Sequence, residues 1–549
     1  MTTSSWSLRS LLPRRQDYAQ LRRSWRGDLV AGVTVGIVAL PLALAFGVSS
    51  GVGAEAGLIT AIVAGLVAAV FGGSNVQVSG PTGAMVVVLA PIVISHGVGS
   101  VVIISILAGI IVLAAGILRL GRTVSYIPWP VIEGFTVGIG VIIFLQQVPA
   151  AVGVSGAGHS TNAVTAAVES VLAADWPSAL LPLAAVAIIA AVMLVFARIS
   201  GRMPASFIAI VVVTLGATLL RLPLPTIGEL PHSLPLPTLP AIVPASLPGL
   251  IGPAFAVAAL AAIESLLSAR VAASMADTGP VNADRELVGQ GLASIASGFF
   301  GGMPATGAIA RTAVNVRSGA TTRASAIVHS LALLAVVYLA ASVVAVIPLA
   351  ALSGVLMVTA ARMISPAIIK QVLRSTRSDA IVFVVTAIIT VSFDLIIAVA
   401  IGIAVAAFFA LRALSTASGV HREKLPGSPT TGDERIALFR IDGSLFFGAA
   451  ERILDRITAH EGIEVVILRL SQLQLIDATG AHTLTELVTA LERRGVTVLI
   501  KGIRPEHLKI MQRLDVIGSL RHPNHLFTEL EPAIAHARSH ISRAAVARE

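Results

Sequence analysis

The sequence predicts a polytopic α-helical membrane protein. It has fourteen transmembrane segments, set out as 7+7 inverted repeats with two half-helices, plus a C-terminal cytoplasmic α/β domain. Three observations predict it. Of 549 residues, 55% are hydrophobic and 12% charged, and the mean hydropathy is +0.89. Successive membrane spans have that make-up; no soluble enzyme of this length does. Two apolar runs are broken by glycine and proline at matching places, in FGGSNVQVSGPTGAMVVV at 71–88 and FGGMPATGAIARTAVNV at 300–316. After Ala413 the chain turns polar and then strand-like.

Residues 1–28 form a basic N-terminal segment, with Arg9, Arg14, Arg15, Arg22, Arg23 and Arg26 and no secretory signal pattern. Apolar runs then cover 29–49, 56–71, the broken 79–95, 99–118, 127–147, 178–197 and 204–220. Longer loops lie at 148–177 and 221–247, the second rich in proline. A second set covers 250–275, 287–300, the broken 304–316, 324–346, 348–363, 379–393 and 394–414. The membrane-spanning domain is therefore expected at 29–415, with repeats 29–220 and 250–415.

Internal matches support the repeat. FGG at 71–73 recurs at 300–302, Thr82-Gly83-Ala84 at Thr306-Gly307-Ala308, and Ile127-Pro128 with Gly134 at Ile347-Pro348 with Gly354. The offsets are similar, roughly 220–229 residues. Seven is odd, so the second set enters the membrane upside down relative to the first. Charge agrees. With the basic N-terminus cytoplasmic, the cytoplasmic connections hold Arg119 and Arg122, Arg198 and Arg202, Arg270 and Arg285, Arg317 and Arg323, then Lys370, Arg374 and Arg377. The opposite connections hold Glu55, Glu169, Asp175 and Glu229, with Arg221 the basic exception. Both termini are then cytoplasmic. The net charge of +9 is explained by these loops, and nucleic acid is not needed as a partner.

Residues 416–434 read as a polar linker. Residues 435–540 read as a small domain in which strands at 436–441, 465–470 and 496–500 alternate with helices at 449–459, 480–494 and 505–513.

Interrupted spans in two halves of a membrane chain point to a substrate site, because broken backbone is tolerated there only beside protein or a watery cavity. Glu264 lies inside a long apolar run, and an intramembrane carboxylate is a candidate for proton uptake and release. A structural pairing with a nearby donor is the alternative. Ser268 would share its helix face. Arg311, in the second half-helix, always carries charge and suits planar oxyanions. Half-helix N-termini add N–H groups and partial positive charge, with Thr82 and Thr306 as hydroxyl donors. A simple Arg311–Glu264 bridge is the competing reading. Asp477-Ala478-Thr479-Gly480 opens a helix, where small polar residues cap; Thr479 could also be a phosphorylation or docking point. There is no cysteine, the histidines show no metal spacing, and no catalytic or phosphate-loop motif appears, so an enzyme is not expected.

These residues carry a family resemblance. RGDLVAGVTVGIVALPLALAFGV at 26–48, SGPTGAMVVV at 79–88, ELVGQGLASIASGFFGGMPATGAIARTAVNVRSGA at 286–320 and LRLSQLQLIDATG at 468–480 resemble the sulfate permease (SulP) family of anion transporters with a C-terminal STAS domain. The resemblance implies a core and a gate domain, homodimers in the cell membrane and elevator-like movement. It implies that Gly83 and Ala84, with Gly307, Ala308 and Ile309, hold the anion, and that Arg311 is the basic residue there. Glu264 matches the acidic residue that couples to H+ or Na+, Ser268 a sodium-site hydroxyl of the bicarbonate branch, and Thr479 the phosphoacceptor position of related anti-sigma factor antagonists. Pro41-Leu42 resembles the bicarbonate branch, yet Glu264 stands where that branch has Asp and Ile309 where it has Thr, which favours H+ over Na+. The expectation is a secondary active, H+-coupled symporter of a small inorganic oxyanion, bicarbonate or sulfate, with no cofactor. Na+-coupled bicarbonate symport, a dicarboxylate carrier, and an anion exchanger or channel are the alternatives. Membrane lipids are the other expected contact, and the partner of the STAS domain is not legible.

Overall fold

The computed structural model describes residues 11–546 apart from 123–126, 155–161, 200–203, 231, 241–246, 278, 393–394, 418 and 446–461. The chain divides into two units, Met1–Ile403 and Ala404–Glu549.

The first unit is helical. Its first set of spans is α1 Leu21–Ser49, α2 Ala54–Phe71, α3 Gly83–His96, α4 Gly99–Ile117, α5 Trp129–Gln146, α6 Trp176–Ile199 and α7 Ala205–Leu219. The second is α8 Leu247–Met275, α9 Ala283–Phe299, α10 Ile309–Arg317, α11 Ala324–Ala345, α12 Leu349–Met363, α13 Arg377–Ser392 and α14 Leu395–Ala417, the last running on into the second unit. Among the described residues, eight helices are long and apolar enough to cross a membrane by length and composition; the short α3 and α10 are the interrupted spans.

The packing repeats with an offset of seven elements. The pairing of α1 with α11 has its counterpart in α8 with α4, and that of α5 with α13 in α12 with α6; α2 against α9 maps onto itself. Pro128 and Pro348 stand at the N-caps of α5 and α12, where proline's fixed φ and missing N–H cost nothing. Close approach is built from glycine: a Cβ at Gly109 of α4 would lie 2.7 Å from the Gly291 carbonyl of α9, and the reverse distance is also 2.7 Å.

Several boundaries differ from the sequence reading. The first helix starts at Leu21, not 29, because Asp28 is buried and accepts from the Thr321 and Thr322 amides and the Thr322 hydroxyl, which ties the basic turn to the body. Ahead of it, Asp17 takes two bonds from Arg285, the shorter 2.7 Å. The loop 148–177 contains a helix, Ala163–Ala173, capped by the Asn162 side chain on the Val164 amide. Pro366–Leu373 forms another between α12 and α13.

The second unit is a sheet in the order β3-β4-β5-β7-β8, with β6 on β4. Its strands are β3 Gly419–Glu423, β4 Ile436–Leu445, β5 Val465–Arg469, β6 Leu473–Ile476, β7 Thr497–Lys501 and β8 Leu526–Phe527. β3 runs antiparallel to β4 and the others pair parallel. Parallel strands covered on both faces read as unbroken apolar runs. Ala437, Phe439, Val466 and Leu468 face one layer with Leu484 and Val488 of α15 Ala478–Arg493. Leu438, Val465 and Ile467 face the other, with Ala533 and Ala537 of α17 Leu530–Val546. Between those helices lies α16 Pro505–Arg513. The expected linker 416–434 is thus corrected: part of it is β3, whose backbone completes the sheet edge. The expected domain end at 540 falls inside α17, and the expected helix 449–459 lies outside the described residues.

Candidate functional site

Gly72 and Gly301 end the helices that precede the two interruptions. The chain then extends into two short strands, β1 Ser79–Gly80 and β2 Thr306–Gly307, which pair antiparallel in the register Ser79↔Gly307 and Gly80↔Thr306. Each break therefore satisfies the other's backbone inside the fold, which is what interrupted spans require. α3 follows from N-cap Thr82 and α10 from N-cap Ala308. The second half-helix thus opens three residues after Thr306, which is spent in the strand.

Beside this bridge stands Glu264 of α8. Its Oε2 accepts from the Thr82 hydroxyl at 2.7 Å and the Thr306 hydroxyl at 2.6 Å, and the two hydroxyls are 2.9 Å apart. The triangle joins both interruptions through one carboxylate. Three acceptor oxygens share two hydroxyl protons, so the ring can take a further proton on Glu264 and still remain hydrogen-bonded.

Arg311 lies in the first turn of α10 and is 2% exposed. Its Nη2 donates to the Pro81 carbonyl, whereas Nη1 is buried without a partner. Among the described residues no ion pair joins it to Glu264, so the simple bridge is not the observed arrangement. Gly80 permits this approach: a Cβ there would lie 2.8 Å from Nη1, and its φ of +153° suits glycine.

The other sequence candidates divide. Gly83 and Ala84 open α3, Gly83 under Ile143 and Phe46 and Ala84 buried. The Gly307 amide bonds Ser265 Oγ at 2.9 Å and the Ala308 amide bonds the Val78 carbonyl at 2.8 Å, so neither is open to a ligand. The first-turn N–H groups of α10 are those of Ile309, Ala310 and Arg311, and helix geometry gives them no acceptor within the helix. Ile309 is 37% exposed. Ser268 stands one turn after Glu264 on α8; it is fully buried and lies 3.1 Å from the Thr312 hydroxyl, which itself accepts from the Val78 amide. Thr479 is exposed in the first turn of α15, where Asp477 caps the Gly480 amide at 2.7 Å.

Sequence reasoning missed Ser265 and Gln77. Gln77 donates to the Ser265 carbonyl at 3.2 Å and packs so closely on Gly307 that a Cβ there would meet its Nε2 at 1.8 Å. Its polar side chain inside an apolar region was the available signal.

Two interrupted helices from inverted repeats, abutting through their breaks with a buried guanidinium and a carboxylate, define a membrane carrier rather than an enzyme. Residues 25–386 match the Sulfate permease family and residues 428–533 the STAS domain. The chain belongs to the sulfate permease family and ends in a STAS domain. It is 33% identical over 499 residues to "Putative sulfate transporter YvdB" of Bacillus subtilis, covering 89% of this chain and 94% of that one. It is 31% identical over 526 residues to "Bicarbonate transporter BicA" of Picosynechococcus, covering 90% and 92%. The murine Solute Carrier 26 member A9 anion transporter, in its inward-facing state, shares the fold with a TM-score of 0.81 at 17% identity, over 98% of this chain and 96% of that one.

Proposed function

We propose that the chain is a secondary active carrier of a small inorganic oxyanion, bicarbonate or sulfate, driven by H+ symport. The observation that carries this reading is the unpartnered, buried Arg311 Nη1 beside the Thr82–Thr306–Glu264 triangle. A buried guanidinium N–H left unpaired costs free energy that an oxyanion would recover. The anion binds where the first turns of α3 and α10 converge, at the amides of Gly83, Ala84, Ile309 and Ala310.

Net charge gives the coupling its reason. The empty site holds one guanidinium and one carboxylate and is neutral. A monovalent anion alone would leave it at minus one, which is costly to carry through a low-dielectric slab. A proton on Glu264 restores neutrality, so anion and proton travel together. The same count favours a monovalent ion such as bicarbonate over doubly charged sulfate. Na+ coupling is disfavoured because Ser268 is engaged with Thr312 and Ile309 offers no hydroxyl.

The remaining proposals follow the packing and the charge pattern. α1, α2, α4, α8, α9 and α11 pack mainly on one another, as do α5, α6, α12 and α13. An elevator-like stroke would move the first group, with the site, past the second. The carrier acts as a homodimer in the cell membrane, with the transport domain beginning at α1, the STAS domain running from β3 through α17, and both termini cytoplasmic. Uptake of labelled bicarbonate and sulfate into proteoliposomes, with and without an inward proton gradient, tests it. A wild-type protein silent toward both anions under every gradient overturns it.

A further inference from the structure

Three histidines of the second unit meet at one point. His536 and His540 are one turn apart on α17 and share a face. His525 closes the short turn Pro523–His525 that leads into β8. One nitrogen from each ring lies within 4.8 Å of the other two. His536 Nε2 and His540 Nε2 are 3.3 Å apart. Two nitrogens bound tetrahedrally to zinc at about 2.0–2.1 Å stand roughly 3.4 Å from each other, so that pair already has a ligand spacing. His525 is 4% exposed, and its Nδ1 is buried without a partner. The sequence reading saw no metal spacing among the histidines. The fold corrects it, because His525 comes from a separate turn and only the docked helix brings the three together.

The charge around the cluster narrows the ion. Among the described residues no carboxylate belongs to the group. Magnesium and calcium, which need oxygen ligands, are therefore excluded. Imidazole nitrogens suit zinc, copper and nickel.

We propose that His525, His536 and His540 form a three-histidine site for a divalent transition ion of the zinc class, with its fourth position open. The ion would pin α17 to the turn before β8, at the edge of the sheet. The competing account is a metal-free cluster in which His536 and His540 share a proton.

The full chain, purified in detergent with a histidine-free tag and stripped with a chelator that is then removed, is titrated with Co2+ while its visible absorption is followed. Zn2+ is then added as a competitor. The expected result is about one equivalent of Co2+ per chain with four-coordinate bands, displaced by Zn2+. His536→Asn and His540→Gln should each weaken binding at least tenfold, while His482→Asn, at an exposed position of the same unit, should bind like wild type. Thermal melts without metal establish that each variant is folded, and either of the two ligand variants suffices. Wild type binding well under one equivalent, or a folded His536→Asn or His540→Gln binding as tightly as wild type, would overturn the proposal.

Discussion

If Glu264 carries the coupling proton, as proposed, replacing it by glutamine should separate the anion from its proton. The amide keeps an oxygen where Oε2 now accepts from Thr82 at 2.7 Å and Thr306 at 2.6 Å, so the triangle between the two interruptions can persist. What is lost is the titratable charge. Among the described residues a single carboxylate touches the two threonines, so the proposed coupling through this site is one proton per anion. One proton per anion makes each unit of pH gradient worth about 1.4 kcal/mol, or roughly tenfold in accumulation. Two units therefore give ~100-fold for wild type, and Glu264→Gln gives none, while counterflow exchange of anion across the membrane survives. The assay is steady-state uptake into proteoliposomes at a series of imposed pH gradients, plotted as log accumulation against gradient. The expected slope is one for wild type and zero for the variant. A variant that keeps the wild-type slope refutes Glu264 as the carrier of the proton, and a wild-type slope near two refutes the single-carboxylate count.

Arg311→Met should abolish anion uptake and leave the Pro81 carbonyl without its donor, at a cost of about 1–3 kcal/mol in stability; Arg311→Lys should recover part of the uptake but not bidentate selectivity, read from competition by planar and tetrahedral anions. Gly307→Ala sets a Cβ 1.8 Å from Gln77 Nε2 and should destabilise by roughly 1–3 kcal/mol, visible as a lower melting temperature, with Gln77→Ala in the same chain restoring part of it. Asp433 is held down to about 2, first by the hydrogen bond from Arg538 and then by those from Thr430. A depressed carboxylate stabilises above its unfolded value, near 3.8, and loses that contribution as pH falls through the folded one. Asp433→Asn should therefore lower the melting temperature of the second unit at pH 6–7 and have little effect near pH 2.

Much of this was legible because the strongest signals are local. Glycine and proline inside apolar runs at 72–81 and 301–304 have few explanations other than an interruption, and α16 was read at its observed bounds. The helix Ala163–Ala173 was missed because it is short and broken by Thr165, Glu169 and Ser170, although Asn162 marks its cap. Strand β3 was missed because Gly419–Glu423 is polar and acquires its role only by pairing with β4. At the candidate site, Glu264 stands out because a charge in an apolar run is costly, and Thr82, Thr306 and Arg311 because they lie at the starts of the half-helices. Which amides stay open was not readable: the Gly307 and Ala308 groups are taken by Ser265 and by Val78, partners 42 and 230 positions away in the chain. Such pairings depend on register, which spacing along one strand does not encode.

The two-residue ladder Ser79–Gly80 with Thr306–Gly307 has a consequence for how the protein is made. When the first break leaves the ribosome, the segment that will satisfy it has more than two hundred residues still to be synthesised. Until then its amides and carbonyls must be kept from hydrocarbon, by water or by the insertion machinery. Co-expression of the chain cut in the proline-rich stretch after Leu219 should yield two fragments that are each degraded alone and rescued together.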